Sequence, residues 1–330
     1  MKKTLTVMLM VLLAAALIIS CDNSSSTPKD EGSSSKSGET AAKATYTVTF
    51  TLGDGTGEGF DAQTVTDGDK AVKPTANPKA NDKYKTFAFW SLDGTNEFKF
   101  NETAITEDII LKAVYKDYEV GDTGPAGGTI FYVNSAFNEN SSDNNWKYLE
   151  AAPSDLTVEN DGTTTSKIAF GYYVKSDESE NYSTLCILGE NTSGSSGDTA
   201  AIGKGASNTS SLINATGGGW TEGGREDRTP FYDYAAKLCA DFTCGGCGDW
   251  FLPSLNELTE LYKAYADGTV GGTWHTKYSE SLTASDNEYY WSSTEYDSNS
   301  VWTVCFGNNG RTGGQPRNDG YSYVRPVRSF

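Results

Sequence analysis

Ser254-Leu255-Asn256-Glu257-Leu258-Thr259-Glu260-Leu261-Tyr262-Lys263-Ala264-Tyr265 reads as a helix with a marked start. Ser254 followed three residues later by Glu257 is a capping box, in which hydroxyl and carboxylate each satisfy a backbone N–H that the first turn leaves open. Leu255, Leu258, Leu261, Tyr262 and Tyr265 share one face, so the helix must be covered on that side. A second helix is expected just upstream. Thr229 can cap it, Pro230 suits its first position, and Phe231, Tyr234, Ala235, Leu238, Cys239 and Phe242 recur at helical spacing. The flanking segments read as β: Thr129-Ile130-Phe131-Tyr132-Val133 after the tight turn Gly124–Gly128, then Tyr290–Tyr296, Val301–Phe306 and the closing Tyr323–Phe330. Helices packed on a small sheet make an α+β domain. The stretch from about Lys175 to Gly224, rich in Ser, Gly, Asn and Thr, is expected to be mostly loop.

Residues 45–117 have a different pattern. Tyr46, Val48 and Phe50 alternate with threonines, Phe98 and Phe100 flank Lys99, and Ile109, Leu111, Ala113 and Tyr115 share one face of a final strand. A period of two marks half-buried β structure, and Gly53-Asp54-Gly55 and Asp67-Gly68-Asp69 are turns between strands. This is a small, mainly-β domain. The order of Tyr46–Phe50, two glycine turns, Pro74, Pro78, Phe87–Trp90 and Ile105–Tyr115 resembles the internalin-type B repeat, which implies an extracellular spacer or protein-contact unit.

Ahead of it, Lys2 and Lys3 precede an apolar run from Leu5 to Ile19 and then Ser20-Cys21. A positive start, a short apolar core and a small residue before the cut make a secretory signal over residues 1–20. Ile18-Ile19-Ser20-Cys21 resembles the bacterial lipobox, which implies lipidation at Cys21. Residues 21–44 offer almost nothing to bury and should be a disordered linker. The chain is thus expected on the bacterial cell envelope, anchored to the membrane by lipid, at the outer-membrane surface. A net charge of -18 argues against nucleic acid as a partner, since phosphate binding needs clustered Lys and Arg.

From residue 119 to 330 a set of separated motifs carries a second resemblance. Gly121–Phe131, Tyr148-Leu149-Glu150-Ala151-Ala152-Pro153, Cys239-Ala240-Asp241, Asp249–Leu258, Tyr290-Trp291-Ser292-Ser293 and Val324-Arg325-Pro326-Val327-Arg328 are similar to the C-terminal domain of the Legionella collagen-like adhesin. That family is related to the C-type-lectin-like fold of the formylglycine-generating-enzyme type. The resemblance therefore implies an α+β C-type-lectin-like domain. Within the fold, some members are variable surface lipoproteins of diversity-generating retroelements, and Tyr296–Tyr323 resembles their variable segment in composition.

The residues expected to touch a ligand are Tyr296, Asp297, Asn299, Trp302, Asn308, Asn309, Arg311, Gln315, Arg317, Asn318, Asp319 and Tyr321. Tyr and Trp offer contact area at little entropic cost, while Asn and neighbouring small residues adapt their hydrogen bonds. From Cys305 onward four arginines face one acid, Asp319, so sulfated glycans or acidic proteins suit Arg311 and Arg317. Arg325 and Arg328 lie in framework motifs and should pair with buried acids. The expectation is an external protein or glycan ligand, bound as by an adhesin or variable receptor, with no cofactor.

Other chemistries find less support. Gln315-Pro316-Arg317 resembles the Gln-Pro-Asp signature of calcium-dependent lectins, but Arg317 stands where a carboxylate must ligate the ion, so no metal site is assigned. The enzymes of the formylglycine-generating type use a cysteine pair near the C-terminus, whereas this chain has Cys305 alone there. No catalytic residue is assigned and the chain is not read as an enzyme. The alternatives are such an enzyme, another hydrolase, or a structural envelope protein without a specific ligand. His275, the single histidine, reads as a loop or edge residue. Cys244-Gly245-Gly246-Cys247 is expected to take part in a structural disulfide, with Cys239 or Cys186 as further partners.

Overall fold

The structure is a computed structural model that describes residues 42–160, 163–171, 186–215, 220–221, 230–231, 233–281, 287–317 and 322–330. The expected signal segment, Cys21 and nearly all of the expected linker lie outside these residues, as do Asn318, Asp319 and Tyr321. Ala44–Phe330 form one compact unit.

Its first sheet comes from the alternating segment. β1 (Thr45–Thr51), β3 (Gln63–Thr66), β5 (Lys85–Ser91) and β6 (Ile109–Asp117) form a four-stranded sheet in the order β3-β1-β6-β5. A minor ribbon of β2 (Gly55–Thr56) and β4 (Lys79–Ala80) lies beside it. β1 runs parallel to β6 and antiparallel to β3. Val48, Phe50, Trp90, Leu111 and Ala113 turn to a common core, where the Trp90 ring meets Phe50 at 5.0 Å and Phe60 at 5.3 Å. Phe98 and Phe100 correct the expectation of a strand. They are buried and in ring contact at 4.9 Å, but come from a segment outside any strand. Apolar alternation there serves burial alone.

The remainder builds two more sheets around a helix. β7 (Thr129–Val133) and β8 (Tyr148–Ala151) pair with β17 (Val327–Ser329), so that the start and end of this region share one sheet. β13 (Tyr289–Glu295), β14 (Ser300–Cys305), β15 (Arg311–Pro316) and β16 (Ser322–Tyr323) form the other, in the order β15-β14-β13-β16. Two ribbons, β9 (Val158–Asn160) with β10 (Thr163–Thr165) and β11 (Trp220–Thr221) with β12 (Pro230–Phe231), complete the strands described. The fold is mixed and sheet-rich. Tyr84, Tyr118, Ile130, Tyr148 and Phe330 form one apolar cluster between the first sheet and the β7-β8-β17 sheet, and Lys147 bridges to Asp117 at 2.9 Å.

α3 (Leu255–Ala266) has the expected capping box, with Ser254 Oγ accepting from Glu257 N and Glu257 Oε2 accepting from Ser254 N. Leu255, Leu258 and Leu261 pack with Phe131, Tyr290, Val304 and Phe306 from both sheets. The upstream helix differs from expectation. α2 (Ala235–Asp241) starts later, because Pro230 and Phe231 lie in β12 and the N–H of Ala235 donates to Ala169 O at 3.0 Å rather than meeting a side-chain cap. Thr229 lies outside the described residues. The supposed loop from about 175 to 224 contains α1 (Gly205–Ala215). Ser, Asn and Thr are weak helix formers, and tertiary contacts override them: Asn208 Nδ2 donates to Thr199 O and Ser293 Oγ, and Leu252 N donates to Thr209 Oγ1.

Glu257 does more than cap. Fully buried, it also accepts from Gly203 N at 2.8 Å and Gly205 N at 3.4 Å, tying the entry of α1 to α3. Burial pushes its pKa up to about 7, with the N–H donors pulling the other way. An unfolded glutamate ionises near 4.5, so the folded chain holds an extra proton between those values. Its contribution to stability is then full below pH 4.5 and is lost as pH rises through about 7. Glu257→Gln, which cannot titrate, should remove this slope. Urea midpoints of both proteins measured from pH 4.5 to 8 check it, and parallel curves would refute it.

Candidate functional site

The C-terminal segment is held from beneath by a desolvated ion pair. Arg317 and Glu295 are both fully buried, and Arg317 Nη2 donates to Glu295 Oε1 at 2.8 Å and to Asp297 O at 3.1 Å. The other oxygen of Glu295 accepts from Leu188 N at 2.7 Å and from the Cys186 thiol. Burial and the adjoining carboxylate push that thiol up to about 12. Arg317 was expected to meet ligand. It serves instead to fasten the end of β15 to β13, since its charge could be buried only against a carboxylate.

Trp302 is likewise more anchored than expected. Its Nε1 donates to Asn191 O at 2.7 Å, its ring meets Tyr296 edge-on at 4.8 Å, and Gly194 lies close against it, so it is half-buried. Tyr296 and Asp297 are also half-buried, and Asn299 is exposed. Asp297 Oδ1 accepts from Asn299 N and Ser300 N, which shapes the turn from β13 into β14.

At the far end of β14 the chain reverses through residues 306–310. Asn309 takes a left-handed backbone conformation (φ 49°), and Gly310 (φ 67°) sits where a Cβ would fall 2.3 Å from the Tyr262 ring. Only glycine fits that approach. Asn308 is half-buried, while Asn309 and Arg311 are exposed.

β15 then forms the edge of the described sheet. Beside it runs a groove of about 240 Å³ lined by Tyr278, Tyr289, Arg311, Thr312, Gly313, Gly314 and Gln315. Arg311, Gly313 and Gln315 share a face of the strand by alternation, and Arg311 Nη1 approaches Tyr278 Oη at 3.4 Å. A Cβ on Gly313 would meet nothing within 4 Å, so the floor is bare backbone. Burial pushes the Tyr289 hydroxyl above its usual range.

The expected site therefore divides. Asn308, Asn309 and Arg311 lie at one end of the β14-β15 hairpin, Trp302 lies inside β14, and Tyr296, Asp297 and Asn299 lie at the other end. Six residues of β14 separate the two ends, a span of about 20 Å at the usual strand rise. Gln315 and Arg311 both face the groove. Tyr278 and Tyr289 were not anticipated as lining residues. Tyr278 falls in a segment without apolar periodicity, and Tyr289 precedes the strand motif by a single residue.

Arg325 and Arg328 hold the framework. Arg325 Nε donates to Asp155 at 2.5 Å, and its guanidinium lies 3.9 Å from the Trp274 ring centroid. Arg328 binds both Glu150 at 3.0 Å and Asp249 at 2.8 and 2.9 Å. Glu150 also accepts from Ala126 N and Gly128 N, fixing the Gly124–Gly128 turn. Framework strands, an Arg-fixed turn, the capped α3 and the closing β17 now stand in one order along the chain. Residues 211–328 match the family model of the Lcl C-terminal domain. The matched segment begins within α1 and ends in β17, and it contains the whole hairpin and groove. No curated protein matches the chain.

His275 stacks on Tyr323 with ring centroids 3.5 Å apart, between Asp155 and Glu288 at 3.5 Å each. Among the described residues no three His, Cys, Asp or Glu side chains group as metal ligands. The five described cysteines are all free, which corrects the expected disulfide. Gly245 (φ 57°) and Gly246 (φ 80°) form a two-residue turn in which Cys244 and Cys247 exchange both backbone hydrogen bonds. Side chains at such a pair stand farther apart than at its neighbours. Cys239 is buried in α2, and Cys186 turns to Glu295.

Because Arg317 and Glu295 are sealed from water, Arg317→Ala should leave a buried carboxylate without its guanidinium. A loss of about 3–5 kcal/mol in folding stability is expected. Urea denaturation measures it, and a change under about 1 kcal/mol would show that the pair is surface-like.

Proposed function

We propose that this chain is a surface-displayed bacterial lipoprotein whose C-terminal region binds an external protein or glycan. In this reading Cys21 carries the lipid, the following linker lifts the folded part off the membrane, and the first sheet is a spacer of the internalin B type. The C-terminal region is then a C-type-lectin-like domain that works as an adhesin or variable receptor, and not as an enzyme. The Lcl match supports a cell-surface setting, and the lipobox-like start supports the anchor. A single observation carries the ligand-binding part: exposed Arg311, Asn309 and Asn299 ride on a hairpin whose ends are fixed by the buried Arg317–Glu295 pair and by Gly310 against the Tyr262 ring.

That separation lets exposed positions such as Asn299 and Arg311 change at little cost to the fold, whereas the left-handed backbone at Asn309 favours Asn or Gly. The same property would suit a protein diversified at those positions by a retroelement. The recognition set narrows to Asn299, Asn308, Asn309, Arg311 and Gln315, joined by Tyr278 and Tyr289 at the groove. Tyr296 and Trp302 support the hairpin from one side.

Replacing Asn299 and Arg311 by Ala and Asn309 by Gly, which keeps the left-handed backbone there, should abolish attachment of the protein to host cells or to a sulfated-glycan surface. The melting temperature should stay within about 2 °C of the parent, as for exposed substitutions. Attachment unchanged in the triple variant would overturn the reading.

A further inference from the structure

We infer that β15 binds an extended acidic peptide strand by backbone pairing along its open edge. The inference rests on the reading that this end of the molecule is the binding surface, and it selects peptide over glycan. It starts from the register of the hairpin. Arg317 N donates to Asn299 O at 3.1 Å, which marks those two as a hydrogen-bonded pair.

Alternation along an antiparallel ladder then assigns the rest. Val301 with Gln315 and Thr303 with Gly313 face each other through hydrogen bonds, whereas Ser300 with Pro316, Trp302 with Gly314 and Val304 with Thr312 do not. In the second set the β15 residue turns its N–H and C=O away from β14. Pro316 stands at one of these outward positions, where its missing N–H leaves nothing unpaired. Thr312 and Gly314 occupy the other two, and both are exposed.

Thr312, Gly313 and Gly314 of this edge also line the groove, together with Tyr289 of β13. The two glycines put no side chain in the way of an incoming backbone. A guest strand gains up to five backbone hydrogen bonds, two at Thr312, two at Gly314 and one at the Pro316 carbonyl, and the missing Pro316 N–H limits the ladder there, which fixes its register. Tyr278 and Tyr289 wall the groove at the Arg311 end, and the exposed Arg311 guanidinium there favours a guest carboxylate. A glycan would use the tyrosines and Arg311 but has no repeat of amide donors and acceptors to match the strand spacing of the outward backbone groups. The structure thus provides peptide recognition of the kind in which main-chain bonds give affinity and side-chain pockets give specificity.

The test uses the whole folded chain against a displayed library of random peptides of about eight residues, enough to span β15. Enrichment of peptides with an acidic residue and a saturable isotherm for a selected peptide are expected. N-methylation of that peptide at successive amides should alternate between large loss and little effect. The double variant Thr312→Pro with Gly314→Pro removes the outward donors while sparing the bonds to β14, and should weaken binding about tenfold or more. Arg311→Glu should move the selection toward basic peptides.

No enrichment, or N-methylation effects without alternation, would overturn the inference, and the peptide scan decides even if the proline variant fails to fold. If peptides fail yet the Asn299, Asn309 and Arg311 triple variant still loses cell attachment, the binding surface stands and only the peptide assignment falls. If attachment also survives that variant, both fall.

Discussion

A carboxylate can be sealed from water only if donors converge on it, and three fully buried glutamates impose that condition on this fold. Glu150 gathers Ala126 N, Gly128 N and Arg328; Glu257 gathers Gly203 N, Gly205 N and Ser254 N; Glu295 gathers Leu188 N and Arg317. Each draws together segments that are distant in sequence and would otherwise be irregular. An unpaired charge in such a place costs several kcal/mol, so the donor geometry tolerates little drift. Apolar packing around α3 supplies the bulk of the driving force, and the glutamates decide which loop lies where.

The consequence for the hairpin is that its position does not depend on its exposed side chains. One end is fastened by Arg317 and Glu295, the other by Gly310 against Tyr262, and the length between by the ladder to β14. The side chains of Asn299, Asn309 and Arg311 take no part in the Arg317–Glu295 pair or in the seating of Gly310 against Tyr262. A surface organised in this way can exchange its contact residues while keeping one backbone shape, and shape kept in advance reduces the ordering cost of binding.

Much of the framework was legible from the sequence because its signals are local. The capping box of Ser254 and Glu257 and the alternation of Tyr46, Val48 and Phe50 each follow from neighbouring residues. α1 was not legible, since its Ser-, Asn- and Thr-rich sequence becomes helical through contacts from Thr199, Leu252 and Ser293. Pro230 misled for the complementary reason: it suits a helix start and an edge strand alike, and the pairing with Trp220–Thr221 decided between them. In the candidate site, polarity identified Asn309 and Arg311 but could not separate them from Arg317. Whether an arginine faces solvent or a buried glutamate is settled by a partner 22 positions away.

That division of the arginines also changes the electrostatics of recognition. With Arg317, Arg325 and Arg328 each neutralised by a carboxylate inside the fold, Arg311 is left as the exposed cation of the hairpin on a chain of net charge -18. An acidic ligand approaching from afar meets the field of the whole protein, which repels it. In physiological salt that field fades beyond about 8 Å, and only then can a single guanidinium dominate. For the proposed acidic ligand, selectivity would therefore come from contact geometry at the groove, where Tyr278 and Tyr289 lie with Arg311, and not from steering at long range.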